Sequence, residues 1–100
     1  MNKKLQPVAE RLALLITHSK PKKRVSYHLQ IGIGEYKQLQ FEAYLWTDES
    51  KGRRDILKSY YVEFGFRDTN ISIVKKMAEI TNIMNGEINP FEENDDDNNK

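Results

Sequence analysis

Between Val25 and Trp46 apolar and polar side chains alternate almost without a break. Val25, Tyr27, Leu29, Ile31 and Ile33 are separated by Ser26, His28, Gln30 and Gly32. Beyond Gly34 and Glu35, Leu39, Phe41, Ala43 and Leu45 alternate with Gln40, Glu42, Tyr44 and Trp46. A period of two puts successive side chains on opposite faces of a strand. The stretch therefore predicts two antiparallel strands joined by a tight turn at Gly34-Glu35. A third strand is expected from about Ile56 to Arg67, after the charged loop TDESKGRRD with its turn at Lys51-Gly52. Within it Tyr60, Val62, Phe64 and Phe66 share one face, and Tyr61, Glu63, Gly65 and Arg67 the other. A sheet apolar on one side only has to cover that side with another layer.

Two segments have the pattern to do so. Pro7 suits a first helical turn, where a missing N–H costs nothing. From there Val8, Leu12, Leu15 and Ile16 recur at the spacing of one helix face, predicting a helix from about Pro7 to His18 that ends at Ser19, Lys20 and Pro21. The second stripe is Ile73, Met77, Ile80 and Met84, widened by Val74 and Ile83. Asp68, Thr69 or Asn70 can cap its start, and Gly86 is the expected stop. The fold expected is α+β: a two-layer α-β-β-β-α domain, a three-stranded antiparallel meander with both helices on one face.

One hundred residues allow one modest core. Charge is divided unevenly. Residues 1–86 hold fifteen Lys/Arg against nine Asp/Glu, and residues 87–100 hold one lysine against six acids, so a body of +6 carries a tail of −5. We expect a single domain over 1–86 and a disordered acidic tail over 87–100. The absence of cysteine excludes disulfides, thiolate zinc sites and cysteine nucleophiles, and fits a cytoplasmic setting. The longest apolar run, Leu12 to Ile16, falls far short of the roughly 20 residues that span a membrane. Lys3 and Lys4 are followed by no signal-peptide core.

No catalytic signature emerges. Gly32 and Gly34 sit between strands, with no helix N-terminus to hold a phosphate. His18 and His28 lack a partner at metal-ligand spacing. Asp95, Asp96 and Asp97 lack the glycine turn of a calcium loop. The expected protein is thus not an enzyme and uses no cofactor and no metal.

What remains is the second sheet face, with Tyr44, Trp46 and Tyr61 among polar neighbours. Such rings can stack on unpaired bases, and basic residues near the same end of the sheet can neutralise phosphates. The first reading is a nucleic-acid-binding protein, DNA or RNA, for single strands: Tyr44, Trp46 and Tyr61 stack, Lys22, Lys23, Arg24, Arg53 and Arg54 meet phosphates, and the acidic tail modulates access. Arg67 joins the site if the third strand is short or bent. The second reading is a protein-interaction module using the same face, as a homodimer or as a small inhibitor or adaptor of the kind mobile elements encode. Aromatics and arginine are enriched at protein interfaces as well.

The order helix–three strands–helix resembles that of the double-stranded-RNA-binding domain. QPVAERL is similar to that family's first helix, and KKMAEI, with Lys75, Lys76 and Ala78, to its second. That family's phosphate-binding lysines start the second helix, whereas Lys75 and Lys76 fall inside this one. GIGEYK also replaces the family's loop between the first two strands. The likeness is one of element order, and no site residue carries over.

Overall fold

The computed structural model describes residues 3–32, 37–47 and 54–92, and of Lys37 only the backbone. Helix α1 is Gln6–His18, strands β1, β2 and β3 are Val25–Ile31, Lys37–Trp46 and Ile56–Gly65, and helix α2 is Asn70–Met84. The sheet runs β1-β2-β3 with both pairings antiparallel. The turns expected at Gly34-Glu35 and Lys51-Gly52 lie outside the described residues.

Proline in its first turn sets the start of α1, and the carbonyl of buried Leu5 takes the first helical bond, from the Ala9 amide at 2.9 Å. The helix closes where Ser19 turns extended, its amide and its hydroxyl both donating to the Ile16 carbonyl (3.1 and 2.7 Å). Of the three candidate caps for α2, Thr69 is the one used. Its hydroxyl accepts from the Ser72 amide while the Ser72 hydroxyl accepts from the Thr69 amide, a reciprocal capping box. At the other end Gly86 takes φ +83°, a left-handed turn that glycine enters without steric cost, and its amide bonds the Ile83 carbonyl.

Both helices bury their stripes against one side of the sheet. Leu5, Val8, Ala9 and Leu12 of the α1 segment meet Leu39, Phe41, Ala43, Val62 and Phe64 of the sheet and Ile73 and Ile80 of α2 in one cluster. Phe41, Phe64, Leu12, Leu39 and Ile80 lose essentially all contact with water, at about 1.5–3 kcal/mol each for full burial of such side chains. Tyr60 closes the flank, its phenol donating to the Glu79 carboxylate of α2.

Four details depart from the pattern. β3 stops at Gly65, not Arg67, because the Asp68 carboxylate accepts the Gly65 amide at 2.9 Å and the Asp68 amide turns back to the Gly65 carbonyl. Phe66 and Arg67 therefore lie in a turn, and Phe66, expected in the core, is about half exposed. Ile31, at the end of the outer strand β1, is also half exposed. Val74 points away from the core at 67% exposure; Ile73 and Ile80 already fill the contact and Ile83 is buried one turn further on.

Finally, the domain continues past Gly86. The Glu87 and Ile88 amides both return to the Asn82 carbonyl, Phe91 packs against the core cluster, and Lys58 of β3 donates to the Phe91 carbonyl at 2.9 Å. Residues 87–92 are thus part of the fold. The acidic run that follows lies outside the described residues.

Candidate binding face

The register fixes what lies on the uncovered side of the sheet. Cross-strand rows read Ser26–Tyr44–Ser59, His28–Glu42–Tyr61 and Gln30–Gln40–Glu63. Trp46 sits at the edge of this face, just beyond a bulge that pairs Leu45 with Lys58 and Trp46 with Ile56. Its indole N–H donates to Ser26 Oγ at 2.8 Å, and Ser26 Oγ is also 2.8 Å from His28 Nε2.

Tyr44 is the hub. Its ring lies 6.0 Å from Trp46, 6.2 Å from Tyr61 and 5.1 Å from His28, centroid to centroid. The interplanar angles are 59°, 82° and 61°, so Tyr61 and His28 meet Tyr44 edge to face, the geometry their quadrupoles favour, while Trp46 is tilted against it. The Tyr44 hydroxyl donates to Glu42 Oε1 at 2.8 Å and the Gln40 amide donates to Glu42 Oε2 at 2.9 Å. Partial burial, then the hydrogen bond and negative charge of Glu42, raise the Tyr44 phenol well above the usual tyrosine range.

The basic residues divide among three places. The Arg54 guanidinium lies 5.2 Å above the Trp46 ring, joining the aromatic cluster through a cation–π contact. Arg24 adopts φ +69° at the entry to β1, and its carbonyl accepts the Trp46 amide at 2.8 Å. Lys22 and Lys23, with Lys20, line a cleft on the other side of the sheet together with the core-face residues Val25, Tyr27 and Leu45. Arg67 sits beyond Gly65, at the end of the sheet where Gly65 pairs with Lys37, and lies over Phe66 at 5.8 Å; Trp46 is at the opposite end. Arg53 lies outside the described residues. Of the expected site, the fold brings together Tyr44, Trp46, Tyr61 and Arg54, with the Arg24 backbone alongside.

Two residues on this face were given no part in the site by sequence reasoning. Ser26 reads as an ordinary outward strand residue, yet hairpin register alone sets it opposite Tyr44 and within reach of Trp46. Glu42 reads as surface charge, but it anchors Tyr44 and Gln40 in the middle of the face.

Among the described residues no helix is long and apolar enough to cross a membrane. Compared with protein-family models, with curated proteins and with solved structures, the chain finds no match in any of the three.

Proposed function

We propose that this chain is a small, non-enzymatic interaction module of the cytoplasm that docks a protein partner on the aromatic face of its sheet. The observation that carries this reading is the Tyr44 hub, with Tyr61 edge-on to it, Trp46 tilted against it and the Glu42 carboxylate built into its centre. Such a face offers apolar ring surface, one cation at Arg54 and carboxylates at Glu42 and Glu63. That mixture suits a protein surface better than a polyanion. Affinity for nucleic acid rests largely on phosphate neutralisation, and two of the lysines expected to supply it, Lys22 and Lys23, line the opposite layer. Rings packed edge to face also present few parallel faces on which successive bases could stack.

Size sets the strength. Seven paired rows at about 3.4 Å, across three strands about 4.8 Å apart, make a flat face of roughly 350 Å². A standard interface takes about 800 Å² from each partner. Contact with the sheet alone is therefore weak and transient, and a durable complex also engages the ends of the sheet around Arg54.

A photo-crosslinking residue at Tyr61, more exposed than Tyr44 or Trp46, tests the reading in cells and in purified protein. Protein adducts that disappear in Arg54→Glu and Trp46→Ala backgrounds are the expected outcome, with an adduct to a second copy identifying a homodimer. An absence of protein adducts from Tyr61, with ready labelling from a control position on α1, overturns it.

The second reading is single-stranded nucleic acid on the same face, and the Arg54–Trp46 stack is the observation that favours it. There Tyr44, Trp46 and Tyr61 would take bases, Lys22, Lys23, Arg24, Arg53 and Arg54 phosphates, and the acidic tail would compete. Titrating Trp46 fluorescence with oligonucleotides at low and high salt separates the two readings. Quenching that fades steeply with salt supports nucleic acid; no response at low salt removes it.

A further inference from the structure

On the helical side of the sheet, remote from the aromatic face, the structure forms a cleft of about 320 Å³. The end of the sheet gives its floor, with Tyr27 and Leu45. The last turn of α2 gives one wall, with Ile83 and Met84, and Phe91 gives another. Lys20, Lys22 and Lys23, all exposed, form its rim. From these features we infer that the cleft is a binding site for a small amphipathic anion: an apolar ring system or medium-length acyl chain bearing one carboxylate or sulfonate.

The cleft is built into the fold. Phe91 is held in place from both sides of its peptide, by Lys58 donating to its carbonyl at 2.9 Å and by its amide donating to Asn89 Oδ1 at 3.0 Å. The lining combines apolar side chains with a few polar ones, the usual make-up of small-molecule sites, and the volume falls at the lower end of their range of about 300–1,000 Å³. Charge then selects the ligand. The ammonium groups of Lys20, Lys22 and Lys23 meet no carboxylate or carbonyl among the described residues, so nothing described offsets three adjacent positive charges. Asn85 and Gly86 bring the C-terminal end of α2, whose carbonyls carry partial negative charge, into the same lining. An anion is drawn to the lysine loop and turned away from the helix end. The ligand therefore enters with its charged head at Lys20–Lys23 and its apolar body along Leu45, Met84 and Phe91.

The acidic segment beyond Glu92 is a rival occupant by sequence alone. It offers no apolar group for the floor, since residues 93–100 are Glu, Asn, Asp and Lys alone.

Anilinonaphthalenesulfonate, an aromatic monoanion whose emission rises in apolar sites, is the probe, used on the full-length chain at low salt. We expect saturable single-site binding, displaced by decanoate and not by decyltrimethylammonium. The triple variant Lys20→Gln/Lys22→Gln/Lys23→Gln should weaken the probe about tenfold, since each rim charge contributes modestly. NMR with methyl and backbone-amide labels should shift the Met84 and Ile83 methyls while leaving the amides of Tyr44 and Tyr61 unmoved. Probe binding indifferent to the three lysines, displacement by the cation as well as the anion, or shifts confined to the aromatic face would each overturn the assignment. So would a wild type that binds no probe beside an Asp95→Asn/Asp96→Asn/Asp97→Asn variant that does, because the cleft would then be the seat of the chain's own tail.

Discussion

The Trp46 indole donates to the Ser26 hydroxyl at 2.8 Å, bridging two strands between residues 20 positions apart. This one bond ties the entry of β1 to the exit of β2 on the uncovered side of the sheet. It also sets the angle at which Trp46 meets Tyr44 and receives Arg54. Replacing Ser26 with Ala leaves the half-buried indole N–H without its partner. The expected cost is about 1 kcal/mol, or a fall in Tm of about 4–8 °C for a domain of this size. Tryptophan emission should shift to the red as the ring loosens, and a thermal melt read by that emission checks both. Unchanged melting and emission would mean that strand pairing alone holds the ring.

Thr69 and Ser72 satisfy each other's amides at the head of α2. Thr69→Ala removes the cap and should cost about 1 kcal/mol. Thr69→Asp, which keeps an acceptor and adds negative charge at the helix start, should recover most of it. Chemical denaturation of the two variants gives the comparison, with unchanged slopes showing that only stability moved.

The legible part of this protein was the part governed by periodicity. Alternation from Val25 to Leu45 located β1 and β2 and sorted their faces correctly, and the spacing of Val8 and Leu12, and of Ile73 and Ile80, located both buried stripes. Phe66 and Arg67 were misplaced because a local bond, Gly65 to the Asp68 carboxylate, ended the strand before its alternation ran out. The positions of Lys22 and Lys23 were illegible for another reason. Which side of a sheet a loop residue faces depends on the left-handed Arg24 and on the 87–92 segment packing nearby, and neither has a periodic signature. The aromatic face could be enumerated from sequence, but its edge-to-face packing around Tyr44 could not.

Asp68 gives the acid limb of the stability profile a specific origin. Burial alone would push its carboxyl up, but Lys76, Ser72 and the Gly65 amide, all donating to it, hold it below the ordinary aspartate value. A group depressed in the folded state stabilises the protein above its unfolded pKa, and that contribution is lost as pH falls through the folded value. Stability should therefore decline on acidification below about pH 4, and the decline should be shallower in Asp68→Asn. At neutral pH Asp68→Ala should cost about 2 kcal/mol, the loss of hydrogen bonds to a charged acceptor that is 10% exposed. Urea melts across acid pH for both variants provide the test, and parallel pH profiles for wild type and Asp68→Asn would refute it.

Tyr60 defines the alkaline limb. Its phenol donates to the Glu79 carboxylate, and that bond, followed by burial and the Glu79 charge, pushes its pKa up to about 12. A raised folded pKa contributes stability that is complete below the unfolded value of about 10 and disappears as pH rises through the folded one. Between those limits the unfolded chain has already released the proton that the folded chain retains, so stability falls with pH across this window. In Tyr60→Phe this term is absent, and the slope over the same window should be correspondingly shallower, though Tyr44 still contributes to it. Ultraviolet titration of the folded protein should show Tyr44 and Tyr60 ionising above the ordinary tyrosine range, with Tyr27 also raised by burial, and Tyr60→Phe should delete one of the late steps. If Tyr60→Phe leaves the late steps intact, the Tyr60–Glu79 bond does not persist in solution, and α2 is held to β3 by the core contacts of Phe64, Val62 and Ile80 and by Lys76 donating to the Glu63 carbonyl.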